Sequence, residues 1–85
     1  MQAQSQNALA LYEQGMKYYG AGNYDEAVSC FHEAAELGNA EAQYRLGKMY
    51  TVGDKVKQDW KEVAKWYRRA AEQGHIEAQE TMAHI

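Results

Sequence analysis

The stretch AAELGNAEAQ at residues 34–43 returns as AAEQGHIEAQ at residues 70–79, with seven of ten positions identical at a spacing of 36. A match that dense, and that rich in Glu and Gln, is more than two generic apolar segments share. It marks an internal repeat. A repeat of this period is one supersecondary unit that cannot bury its apolar face alone, so successive units stack to complete a core. The chain has 85 residues, enough for one domain of two units and a fragment of a third.

The repeated unit reads as helical. Proline is absent and β-branched residues are few, so strands have little support and long helices have much. Glycines punctuate the chain at Gly20 and Gly22, at Gly38, at Gly53 and at Gly74, which divides it into four helices and a C-terminal stub. Asn23 with Glu26, and Asp59 with Glu62, have the capping-box spacing and lie 36 apart. Gly38 and Gly74 suit the left-handed conformation that closes a helix.

The correspondence extends well beyond the ten residues. Tyr24 aligns with Trp60, Ala27 with Val63, Phe31 with Tyr67 and Ala34 with Ala70; upstream the offset falls to 32, pairing Tyr12 with Tyr44, Gly15 with Gly47 and Tyr18 with Tyr50. The loops YGAGN and TVGDKVKQD differ in length while the helix pattern does not. Gly15, flanked by Leu11 and Tyr18, and Gly47, flanked by Leu46 and Tyr50, mark where each first helix closely approaches its partner.

Residues 40–75 resemble a full Sel1-like repeat through Ala42, Leu46, Gly47, Tyr50, Gly53, Val56, Asp59, Trp60, Trp66, Tyr67, Ala70, Ala71 and Gly74. Residues 8–39 are similar to a tetratricopeptide unit through Gly15, Tyr18, the stretch GNYDEAV, Phe31 and Ala34. Residues 76–85 resemble the start of a third repeat, with Ala83 at the glycine position. Lys55, Lys57 and Val63 depart from the Sel1-like pattern, which implies a differently bent loop and a slightly wider second hairpin. The resemblance implies an all-α, α-solenoid fragment in one domain: a flexible N-terminus at 1–7, hairpins at 8–39 and 40–75, and a capping helix or partial repeat at 76–85. It also implies a scaffold or adaptor, often bacterial, whose first helices line a concave groove.

The residues offer no active site, cofactor or metal centre. His32, His75 and His84 have no ligand spacing beyond Glu80 and His84 at i,i+4, and a metal site needs three or more converging ligands. Cys30, the single cysteine, excludes an internal disulfide and reads as a buried structural thiol. YGAGNY lacks the lysine and the preceding strand of a phosphate loop. Asp54 and Asp59 lack the alternating oxygens of a calcium loop. The longest apolar run, ALALY at 8–12, is far short of the ~20 residues of a membrane span, so a cytoplasmic protein with no membrane partner is expected.

Function is therefore sought on the surface. Leu9, Tyr12, Met16 and Tyr19 form a second apolar row on the first helix, about 200° from the Leu11–Gly15–Tyr18 stripe. The equivalent positions on the third helix are Glu41, Tyr44, Lys48 and Thr51. These eight residues are the expected groove for a peptide or partner helix, since Tyr and Met offer large, adaptable contact area. The plain alternative is that they pack helix against helix. Two other surfaces compete. Residues 1–40 carry Lys17 against Glu13, Asp25, Glu26, Glu33 and Glu36, an acidic face that would suit an inhibitor or regulator blocking another protein's site. Residues 55–69 carry Lys55, Lys57, Lys61, Lys65, Arg68 and Arg69 with Trp60 and Trp66, a disfavoured nucleic-acid reading because the repeat pattern assigns those aromatics to packing. Uncovered ends of a short array would also let two copies pair as a homodimer.

Overall fold

The computed structural model describes the backbone of residues 2–52 and 59–83 and the side chains of 7–51 and 59–82. Five helices follow one another: α1 (Gln2–Gly20), α2 (Tyr24–Glu36), α3 (Ala40–Val52), α4 (Trp60–Glu72) and α5 (Ile76–Ala83), with no strand among the described residues. The expectations for Gly53, Asp54, Lys55, Val56, Lys57 and His84 lie outside the described residues. The chain is an all-α repeat solenoid fragment: the α1–α2 and α3–α4 hairpins, then α5. α1 starts at Gln2, inside the expected flexible lead-in, because no Gly or Pro interrupts the run before Gly15.

The ten repeated residues form the joint between one hairpin and the next. Gly38 and Gly74 adopt φ of +100° and +88°. That conformation lets the Gly38 amide donate to Ala35 O at 3.0 Å and the Asn39 amide to Ala34 O at 3.0 Å, with Gly74 on Ala71 (3.0 Å) and His75 on Ala70 (3.2 Å) in the second copy. Both are Schellman endings, which satisfy carbonyls a helix terminus leaves orphaned. The final Gln of each copy is a latch: Gln43 Nε2 donates to Ala35 O at 3.0 Å, and Gln79 Nε2 to Ala71 O at 2.9 Å. Ala34, Ala42, Ala70 and Ala78 are wholly buried, because helices pinned this closely have room only for methyl groups. The recurrence is explained: one joint is built twice.

Each helix packs chiefly on its neighbours in sequence. One core cluster gathers Ala27, Phe31, Leu46, Met49 and Trp66, with Leu11, Tyr12, Met16 and Tyr18 packed against it. A second gathers Val63, Tyr67, Ala70 and Ala78, with Tyr44 and Met82 beside it, and Tyr50 contributes to both. Neither hairpin buries its stripe alone. Gly15 and Gly47 sit under the rings of Phe31 and Tyr67: a Cβ there would lie 2.8 Å and 2.9 Å from ring carbons.

Candidate functional site: the outward faces of α1 and α3

The side chains expected to line a groove divide into supported and free. Tyr12 and Tyr44 are half-buried and sit at equivalent stations, their rings 5.8 Å from Phe31 and 5.7 Å from Tyr67. Tyr44 is held further by His75, stacked at 4.6 Å and 28°, and by the Lys48 ammonium 5.6 Å from its centroid. Met16 packs against the first core cluster. Thr51 turns its hydroxyl back to Gly47 O at 2.8 Å. Leu9 and Tyr19 remain 51% and 40% exposed, although Tyr19 meets Tyr24 edge-on at 5.1 Å. Lys48 is exposed, and Arg45 one turn before Met49 keeps a buried Nε with no hydrogen-bond partner. Packing thus accounts for part of the row and leaves Leu9, Tyr19 and Lys48 exposed.

At one end of α3, Glu41 accepts a hydrogen bond from His75 Nε2. The other ring nitrogen, Nδ1, accepts the Ala78 amide at 3.1 Å and so caps α5. Asn39 does the same for α3, its Oδ1 taking the Ala42 amide at 2.8 Å. These two caps occupy equivalent positions of the repeat and were not anticipated. Asn39 had the residue type of a cap, whereas His75 could be recognised only by aligning the copies.

The acidic face has its own relief. Gln14, Tyr18, Asp25, Glu26, Ser29 and Cys30 line an open cleft of about 350 Å³ between α1 and α2. Repeat equivalence explains it: Gln14 and Cys30 stand where the second hairpin has Leu46 and Trp66, both fully buried. The side that the second hairpin buries against the first is therefore open in the first hairpin, with Gln14 exposed there. Burial pushes the Cys30 thiol above its ordinary 9.0, with Glu33 and Glu26 adding to the shift, so the thiolate that nucleophilic chemistry needs is suppressed.

Trp66 in the basic stretch is not a stacking platform. It is fully buried, its Nε1–H donates to Glu62 Oε1 at 2.9 Å, and Lys65 Nζ and Arg69 Cζ lie 4.4 and 5.0 Å from its ring. Lys65 also pairs with Glu62 at 3.6 Å and Arg69 with Glu36 at 3.9 Å. Trp60 differs from the packing role expected of it: it is 59% exposed, because it is the first residue of α4 and its turn lies ahead of the buried stripe.

Residues 40–75 match the Sel1 repeat family and residues 8–39 match the tetratricopeptide repeat family, consecutive segments that meet at the joint described above. The chain is a Sel1/tetratricopeptide-like repeat protein. Its fold is similar to the crystal structure of a Sel1 repeat protein from Oxalobacter formigenes, at 36% identity and a TM-score of 0.78 over 92% of this chain and 63% of the other. In sequence it is 34% identical to an F-box protein of Arabidopsis thaliana over 91% of this chain and 21% of that protein. It is 38% identical to an exopolysaccharide production negative regulator of Rhizobium meliloti (strain 1021) over 78% of this chain and 25% of that one. The Sel1/tetratricopeptide-like chain thus spans a quarter or less of the length of these two relatives. Repeats of both families generally mediate protein–protein interaction and are generally non-enzymatic scaffolds. No described helix is long and apolar enough to cross a membrane.

Proposed function

We propose that this chain is a protein-interaction module that takes a peptide or partner helix across the outward faces of α1 and α3, acting as a scaffold or adaptor rather than as an enzyme. The observation that carries this reading is the row on α1 that packing leaves uncovered: Leu9 and Tyr19 stay about half exposed while the Tyr12 and Tyr44 rings are seated on Phe31 and Tyr67. Rings already fixed by their neighbours lose little rotamer freedom on binding, so the area they bury converts more fully into affinity. Lys48 and Arg45, neither paired with a carboxylate among the described residues, would set register by taking an acidic group of the ligand.

A photo-crosslinking residue at position 48 tests the groove, with one at exposed Arg68 as the control. Position 48 is expected to capture one specific protein from the source cell, and Leu9→Glu to abolish that capture while the circular dichroism stays unchanged. Equal capture from both positions, or indifference to Leu9→Glu, would sink the reading.

The cleft lined by Asp25 and Glu26 supports a second reading, in which the acidic face of the first hairpin docks a basic partner as a regulator or inhibitor. Asp25→Lys with Glu26→Lys separates the two: it abolishes binding through the acidic face and leaves a groove ligand nearly unaffected.

A further inference from the structure

We propose that Glu41, His75 and Glu77 form a zinc-class divalent metal site that ties α3 to the start of α5. One donor atom from each lies within 4.8 Å of the other two. The three come from different places: the first turn of α3, the connection after α4, and the first turn of α5. Folding alone brings them together, which is why no local ligand spacing announces them.

His75 is already held in place. Its side chain is 9% exposed, its ring stacks on Tyr44, and its Nδ1 is bonded to the Ala78 amide while Nε2 faces Glu41. The two glutamates are exposed, Glu41 being bonded to His75. Zinc bonds of about 2.0–2.2 Å in tetrahedral geometry set donor–donor separations of about 3.4 Å. His75 Nε2 and the Glu41 carboxylate are in direct hydrogen-bond contact, closer than two ligands of one ion, so Glu41 must draw back to admit the metal and Glu77 close on it, which rotation of exposed Glu side chains covers. Two carboxylates balance a divalent charge, and the cation relieves their mutual repulsion. One imidazole among oxygens favours zinc, cobalt or nickel over magnesium and calcium. A fourth position stays open to water or to a ligand's carboxylate.

The opposing cost lies at Nδ1. There the ring accepts the Ala78 amide, so the neutral ring carries its proton at Nε2; coordination through Nε2 moves that proton to Nδ1 and ends the cap. Losing an N-cap costs about fivefold in affinity. That weakens the site without removing a donor.

His75→Asn is the decisive variant, because Asn39 already fills the equivalent position and caps α3 from there. It removes the imidazole and preserves the joint. Calorimetric titration of the full chain with zinc chloride is expected to give one site for wild type and binding at least about tenfold weaker for His75→Asn. Glu41→Gln and Glu77→Gln are each expected to weaken binding as well. The unfolding midpoint of wild type should rise in about 0.1 mM zinc while that of His75→Asn stays put. Equal uptake by wild type and His75→Asn, or none by wild type, overturns the assignment. The metal site does not depend on the groove reading, and the two sets of variants share no residue.

Discussion

Gly15 and Gly47 have helical neighbours on both sides, where alanine usually stabilises by about 1 kcal/mol. Here a Cβ would lie 2.8 Å from the Phe31 ring or 2.9 Å from the Tyr67 ring. Both rings are buried and have nowhere to go, so overpacking, at about 1–3 kcal/mol, wins. Gly15→Ala and Gly47→Ala are each expected to lower stability by about 1 kcal/mol or more. Gly20→Ala, with nothing within 4 Å of the added carbon, is expected to be neutral or stabilising. Urea midpoints for the three variants check this, and a Gly15→Ala protein as stable as Gly20→Ala contradicts the close approach. These glycines were legible in the sequence, since their spacing from Tyr18 and Tyr50 marked one face. What the spacing could not tell was which groove residue is free, because Tyr12 and Tyr44 read alike whether their rings are seated on the core or turned to solvent.

Helix caps make the same point for whole elements. Asn23 and Asp59 have equal capping-box spacing, yet only one side chain acts. Asp59 Oδ1 accepts the Lys61 amide at 3.0 Å and the Glu62 amide at 3.4 Å, whereas Asn23 makes no side-chain cap bond. The first connection is tight, with the Asn23 amide itself bound to Tyr18 O at 2.9 Å; this leaves Asn23 at φ −88° and ψ 74°, away from the extended geometry that Asp59 adopts at −151° and 105°. Asp59→Ala is therefore expected to cost about 1 kcal/mol and Asn23→Ala a few tenths at most. Chemical denaturation of both variants tests the difference, and equal losses would mean that the loop geometry has been misread. The helices themselves were legible from glycine punctuation and period. The Gln43 latch was not, because a glutamine in a polar-looking stretch is ordinarily solvated.

Across the whole molecule, burial of tyrosines in both clusters links stability to alkaline pH. Burial pushes the Tyr67 hydroxyl above its ordinary 10.0, partly offset by its hydrogen bond with Thr51 and reinforced by Tyr44; burial likewise raises Tyr50, with Glu62 and Asp59 adding to it. A folded value above the unfolded one means that the folded state holds its proton longer. Stability is then fully present below the ordinary value and is lost as pH rises through the folded value. The fall between about pH 9 and pH 11 should be shallower in Tyr67→Phe than in wild type. Denaturation midpoints across that range measure it, and identical slopes would show that Tyr67 ionises as freely folded as unfolded.

The amino-acid order by itself determined that the chain is helical, that it repeats and where α2 and α4 end, because these depend on residues close together in sequence: the left-handed glycines, the small residues at crossings, the absence of breakers between. Only the tertiary structure decided how the copies differ in use. It left the first hairpin's outer side open, with Gln14 exposed, where the second buries Leu46 and Trp66, and it brought Glu41 to His75 across 34 positions. Those outcomes depend on which unit has a neighbour to pack against, and nothing within a single repeat carries that information.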